Sequence, residues 1–243
     1  MIGLLHGEMI KLRTTRTALG FAALVLLLVL ASVLLQALLG DPATLDDKRQ
    51  VVTVAGLGGT IPAVLIIFGV VGATGEHRHG TITSTFLIAP DRVRATAAKL
   101  LAYFATGVIV AVLVQAIALA IGLPLIAGDP GPDLGGSDIL ALFLGGAASC
   151  GLAAALGVAV GALISHQVAA VVGTLAYLFI LEPIVSAVSG DVSSYTVGST
   201  MSAVAGIDFS DSLDPLPAGL VLAAWALVVG TAAVLADRSR DVN

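Results

Sequence analysis

Six apolar stretches, each long enough to cross about 30 Å of hydrocarbon at about 1.5 Å per helical residue, constrain this chain more than any other feature. They fall at 18–39, 52–74, 100–127, 138–164, 168–189 and 216–236. In lipid every backbone N–H and C=O must be satisfied within the protein, and these stretches lack the alternation of barrel strands, so each is expected to be a helix. Composition agrees: 58% of the 243 residues are hydrophobic and 11% charged, whereas a soluble domain carries about a quarter charged residues. The expected fold is an all-α integral membrane protein, a single transmembrane domain over 1–243 with six transmembrane helices. Segments between spans are too short to form an independent soluble domain.

Charge gives the orientation. Lys11, Arg13 and Arg16 precede the first span, Arg78, Arg92, Arg94 and Lys99 lie between the second and third, and Arg238 and Arg240 follow the sixth. Only Lys48 and Arg49 fall on the other side. The positive-inside rule then makes both termini and the 75–99 loop cytoplasmic, in a bacterial-type plasma membrane. The net charge of −5 and the absence of a basic patch speak against a nucleic-acid partner, leaving membrane lipid as the surrounding phase. The single cysteine, Cys150, forms no disulfide within the chain and excludes thiolate-rich metal sites. A P-loop requires Gly-Lys-Ser/Thr, and the lysines here follow Ile10, Asp47 and Ala98. ATP is therefore not expected to bind this chain by that device.

Two cytoplasmic segments have a pattern of their own. Within 1–16, Ile2, Leu5, Met9 and Leu12 recur at helical spacing, as in an interfacial amphipathic helix; the alternative is a basic tail that only fixes topology. In the 75–99 loop Gly80 suits a helix end and Thr81 a helix cap, while Pro90 disfavours helix at Ala89. A helix of about two turns is thereby bracketed, with Ile82, Phe86 and Ala89 on one face. The alternative is a solvated connection containing a turn. Pro90-Asp91 suits the start of a further helix running through Lys99 into the third span.

At these residues the sequence resembles the membrane-spanning permease subunits of ABC exporters of the type-2 class. Glu76, Gly80, Thr81, Pro90, Arg92 and Lys99 stand where that family has an acidic residue, Gly-Thr, Pro-x-Arg and a lysine. The likeness extends to an interfacial first helix, six spans, Ser165-His166-Gln167 between the fourth and fifth, Glu182-Pro183 late in the fifth, and Arg-Asp-Val at 240–242. His166 departs from it, since a basic residue is commoner there. The resemblance implies a coupling helix near 81–89, presenting Ile82 and Phe86 to a groove in a separate P-loop ATPase subunit, with Glu76 and Arg92 helping to hold it. It also implies two copies of that ATPase, a second permease chain in a homodimer or heterodimer, and ATP and Mg bound by the ATPase, with no cofactor and no catalytic residue in this chain. Part of the outer loop, 190–215, is expected to re-enter the membrane near the exit.

Glu182 is the one ionisable group well inside a span, where a charge costs about 3 kcal/mol without a partner. Pro183 beside it removes a backbone donor, so a kink is expected. Two roles stay open for this pair: a translocation or gate site, or a carboxyl hydrated near the outer interface. Gly157 and Gly161 form a small-xxx-small pair suited to helix packing. His77 and His79 beside Glu76 complete no metal shell. Ser149 and Cys150 have no evident base, which leaves a membrane-embedded enzyme with little support. The alternative function is an ion-coupled secondary transporter or channel using Glu182.

Overall fold

A computed structural model describes residues 2–39, 60–78, 92–126, 135–164, 166–206 and 213–239. Every regular element among them is helical. Ten α-helices follow in order: α1 Ile2–Thr14, α2 Arg16–Leu39, α3 Thr60–Arg78, α4 Arg92–Ile126, α5 Gly136–Leu163, α6 Gln167–Ala176, α7 Glu182–Val188, α8 Gly190–Ser193, α9 Val197–Val204 and α10 Pro215–Ser239. A π-helical turn, Tyr177–Leu181, joins α6 to α7. Five helical stretches are long and apolar enough to cross a membrane: Arg16–Leu35, Val93–Gly122, Gly136–Leu163, Gln167–Val188 and Pro215–Ala236. The second expected span, 52–74, is described from residue 60 onward, and Thr60–Gly75 is a shorter apolar helix. Helix α4 begins at Arg92 and passes unbroken through Lys99, as Pro90-Asp91 leads one to expect.

Helix α5 is the hub. Its most extensive pairings are with α3, α4 and α10. From Gly151 to Ala162 only Leu152 and Val160 escape burial, and most of the run is Gly or Ala. A Cβ built on Gly157 would run into the backbone carbonyl of Ile66, and one on Gly161 would stand 2.7 Å from the carbonyl oxygen of Val70. The expected packing role of this pair is thus met by α3, backbone against backbone. On the other side a Cβ at Gly107 of α4 would lie 2.5 Å from the carbonyl oxygen of Cys150. In lipid the apolar surroundings give helices little reason to associate, so such close approach and the dispersion it permits carry the packing.

These pairs also fix direction. Ile66 meets Gly157 and Val70 meets Gly161, so α3 and α5 run parallel; Gly107 meets Cys150 while Gln115 meets Leu142, so α4 runs antiparallel to both. Phe68 bridges Phe21 of α2 and Tyr103 of α4, with ring centroids 5.3 and 5.0 Å apart. Tilted pairs of this kind contribute about 0.5–1.5 kcal/mol each. Leu12 of α1 is buried in the same cluster, with Leu5 and Met9 against it, so the apolar stripe read in the sequence faces the bundle. Glu8 on that helix is buried and held by Lys11 at 2.6 Å. A Cβ built on Gly230 of α10 would lie 3.8 Å from Leu100 Cδ1. The end of α3, the starts of α2 and α4 and the C-terminal part of α10 therefore gather at one end of the bundle, and the basic segments with them.

Gly157→Ala should lower the thermal midpoint of the detergent-solubilised protein at a cost of about 1–3 kcal/mol. Gly173→Ala, where nothing lies within 4 Å, should leave it unchanged or slightly raised.

Candidate functional site

Two groups of residues are singled out by the sequence, and the structure treats them differently. Glu76 lies in the last turn of α3, Arg92 opens α4 and Lys99 follows two turns later. Gly80, Thr81, Ile82, Phe86 and Pro90, and with them the expected helix 81–89, fall outside the described residues. The helices flanking that segment converge at one end of the bundle, because α4 runs back along α5 opposite to α3.

The second group centres on Glu182, and here the geometry is complete. Pro183 has no N–H to donate, so the ordinary hydrogen-bond ladder is interrupted just where the π turn ends. The Glu182 N–H instead reaches the carbonyl of Tyr177, five residues back. Such a turn stacks residues i and i+5, which an α-helix would set about 140° apart. The consequence is that the Tyr177 side chain lies beside the Glu182 carboxylate. The expected kink at Pro183 is thus a change of helical register.

The same carboxylate reaches across to α9. Its Oε1 accepts from the N–H of Gly198 at 2.8 Å, and the N–H of Val197 lies nearby. These are the first two residues of α9, whose N–H groups have no partner inside their own helix. Thr196, the residue positioned to cap them, turns its hydroxyl to the Ser193 carbonyl at 2.8 Å and to Ser199 at 3.1 Å. Glu182 therefore serves as an N-cap supplied from another helix, where positive partial charge favours an anion. Gly198 leaves room for it, since a Cβ there would collide with Oε2.

No protein-family model and no curated protein matches this chain.

The far end of α9 is held by α5. Ser149 donates its hydroxyl to the Met201 carbonyl at 2.8 Å, and both residues are buried. Gly145, one turn away, lets the Val204 carbonyl approach its backbone. Gly206, at φ 82°, closes the helix in the left-handed conformation, its N–H returning to the Ala203 carbonyl at 3.1 Å. Trp225 of α10 donates its indole N–H to the Tyr195 carbonyl at 3.0 Å, which fixes the approach to α9. Val197, Thr200, Met201, Ser202, Ala203 and Val204 are buried as a result.

Ser149, Tyr177 and Gly198 are absent from the sequence-derived set. Tyr177 carries a signal, lying five residues from Glu182 on the approach to a proline; Ser149 carries none, because its partner is fifty-two residues away. Among the described residues no three His, Cys, Asp or Glu side chains come together as a metal site. Ser149→Ala should destabilise the protein by about 1.5 kcal/mol in thermal or denaturant unfolding, since it removes a buried hydrogen bond between helices while the Met201 carbonyl keeps the Ala205 N–H at 3.1 Å. Thr74→Val should cost less, about 1 kcal/mol, because the Thr74 hydroxyl bonds only to carbonyls of its own helix, at 2.7 Å to Val70.

Proposed function

We propose that this chain is the membrane-spanning permease subunit of an ATP-driven exporter of the type-2 ABC class. It forms the translocation path, pairs with a second permease chain, identical or related, and takes work from two separate P-loop ATPase subunits that bind ATP and Mg. The observation that carries this reading is the ordered set Glu76, Gly80-Thr81, Pro90-x-Arg92 and Lys99, set between two helices that converge at one end of the bundle. The other basic segments gather at the same end, which is the cytoplasmic one under the positive-inside rule, with both termini there in a bacterial-type plasma membrane.

Mechanically, the 79–91 segment joins α3 directly to α4, and both pack along α5. A push on that segment from the cytoplasm is delivered to the two helices that flank the hub. ATP-driven closure of the ATPase pair then biases the bundle between inward-closed and outward-open arrangements. The engaged state of Glu182, with its carboxylate on the Gly198 N–H, favours a structural part in such a gate over a freely exchanging ion site.

Co-expression with a P-loop ATPase encoded beside it tests the reading. Affinity-tagged wild-type chain should recover the ATPase from solubilised membranes. Combined Glu76→Ala and Phe86→Ala should reduce that recovery by about tenfold or more with unchanged membrane yield. Equal recovery by both would count against the assignment.

A further inference from the structure

Depth along the helices places α9 inside the membrane. Ser149 is thirteen residues into α5, about 20 Å at 1.5 Å per residue, and Gly145 is nine residues in, about 14 Å. Trp225 is ten residues into α10, about 15 Å. These three residues hold Met201, Val204 and Tyr195 respectively. The hydrocarbon is about 30 Å thick, so the segment they hold reaches toward its middle. At that depth the free N–H groups at one end of an eight-residue helix and the free carbonyls at the other find no water.

We propose that Glu182 and Ser149 are the two positioning residues that hold α9 as a plug in the outer half of the membrane, and that the π turn at 177–181 is the release element. Glu182 secures the N-terminal end and Ser149 the C-terminal end. The two tethers lie on different helices, so movement of the 167–188 helix relative to α5 strains one against the other. That movement breaks little packing, because no side chain from Tyr177 to Val188 is fully buried and only Tyr177 and Leu178 of them pack against a core cluster. Return of the π turn to α-helical register would carry the Glu182 N–H to the Leu178 carbonyl and swing the carboxylate away from Tyr177 and α9. With its cap gone, α9 has an unsatisfied Gly198 N–H in lipid and leaves its seat. Calling this plug the exit gate rests on the exporter reading; the two-tether geometry does not.

The test uses the full chain reconstituted in phosphatidylethanolamine–phosphatidylglycerol vesicles, with no ATPase and no substrate. Ser202→Cys is the reporter, since Ser202 is buried on α9, and the native Cys150 is fully buried. A bulky hydrophilic maleimide is applied from both sides. Labelling at position 202 should be slow in the otherwise wild-type chain and rise about tenfold or more with Glu182→Ala or with Ser149→Ala, as loss of a charged or buried hydrogen bond shifts an opening equilibrium. Glu182→Gln, which keeps an oxygen for the Gly198 N–H, and Tyr177→Phe should each fall between. A second reporter, Ala154→Cys in the α3–α5 interface, should stay unreactive in every background. Rates at position 202 within about twofold of wild type in both alanine variants would overturn the proposal. So would a parallel rise at position 154, which would mean general loosening. Should Glu182→Ala fail to insert, Ser149→Ala and Tyr177→Phe decide by the same criteria. Failure of ATPase recovery would remove the exporter reading and leave these rates unaffected.

Discussion

Helix α5 can occupy the centre of this bundle because its contact surface is largely backbone. Inside lipid, apolar side chains gain nothing by leaving one apolar medium for another, so helices associate where their axes come close enough for dispersion to accumulate. Gly157 and Gly161 bring α5 onto the carbonyls of Ile66 and Val70, and Gly107 brings α4 onto Cys150. Everything else is placed from that hub. Because α5 is fixed, Ser149 and Gly145 on its other half are fixed too, and these form half of the seat for α9.

Polar side chains in the bundle fall into two kinds with different consequences. Thr74, Thr174 and Thr231 fold their hydroxyls back onto carbonyls of their own helices, which hides a polar group and ties nothing together. Ser149, Glu182 and Trp225 instead join separate elements, and all three hold residues between 195 and 201. Gln115 is a further long-range case, its amide donating to Leu142 at 2.8 Å between α4 and α5. Directional bonds set α9 apart from the helices of the hub, although Val197, Met201, Ala203 and Val204 also pack into the core.

The sequence made the helical, membrane-length segments legible because length and apolarity alone decide them in lipid, and five such helices stand among the described residues. It flagged Pro183 as an interruption, yet a missing N–H says only that the ladder breaks; whether the helix bends or changes register depends on what Tyr177 and Glu182 can reach. Gly157 and Gly161 could be read as a packing pair, but not with which helix, since Ile66 and Val70 lie some ninety residues away. Ser149 looked like a hydroxyl without a base. Its partner is a backbone carbonyl on α9, and a backbone group leaves no mark in the pattern of side chains. Glu182 announced that it needed a partner without naming it, for the same reason: the partner is the N-terminus of a helix.

The central claim is that the segment between α3 and α4 receives force from a nucleotide-hydrolysing subunit. Disulfide or bifunctional crosslinking from Ile82→Cys to a co-expressed P-loop ATPase tests it most directly, the native Cys150 being fully buried. In inside-out membrane vesicles the account predicts a crosslinked permease–ATPase species whose yield changes when ATP is added. Absence of that species in every nucleotide state, together with labelling of position 82 by an impermeant thiol reagent applied outside intact cells, would contradict it.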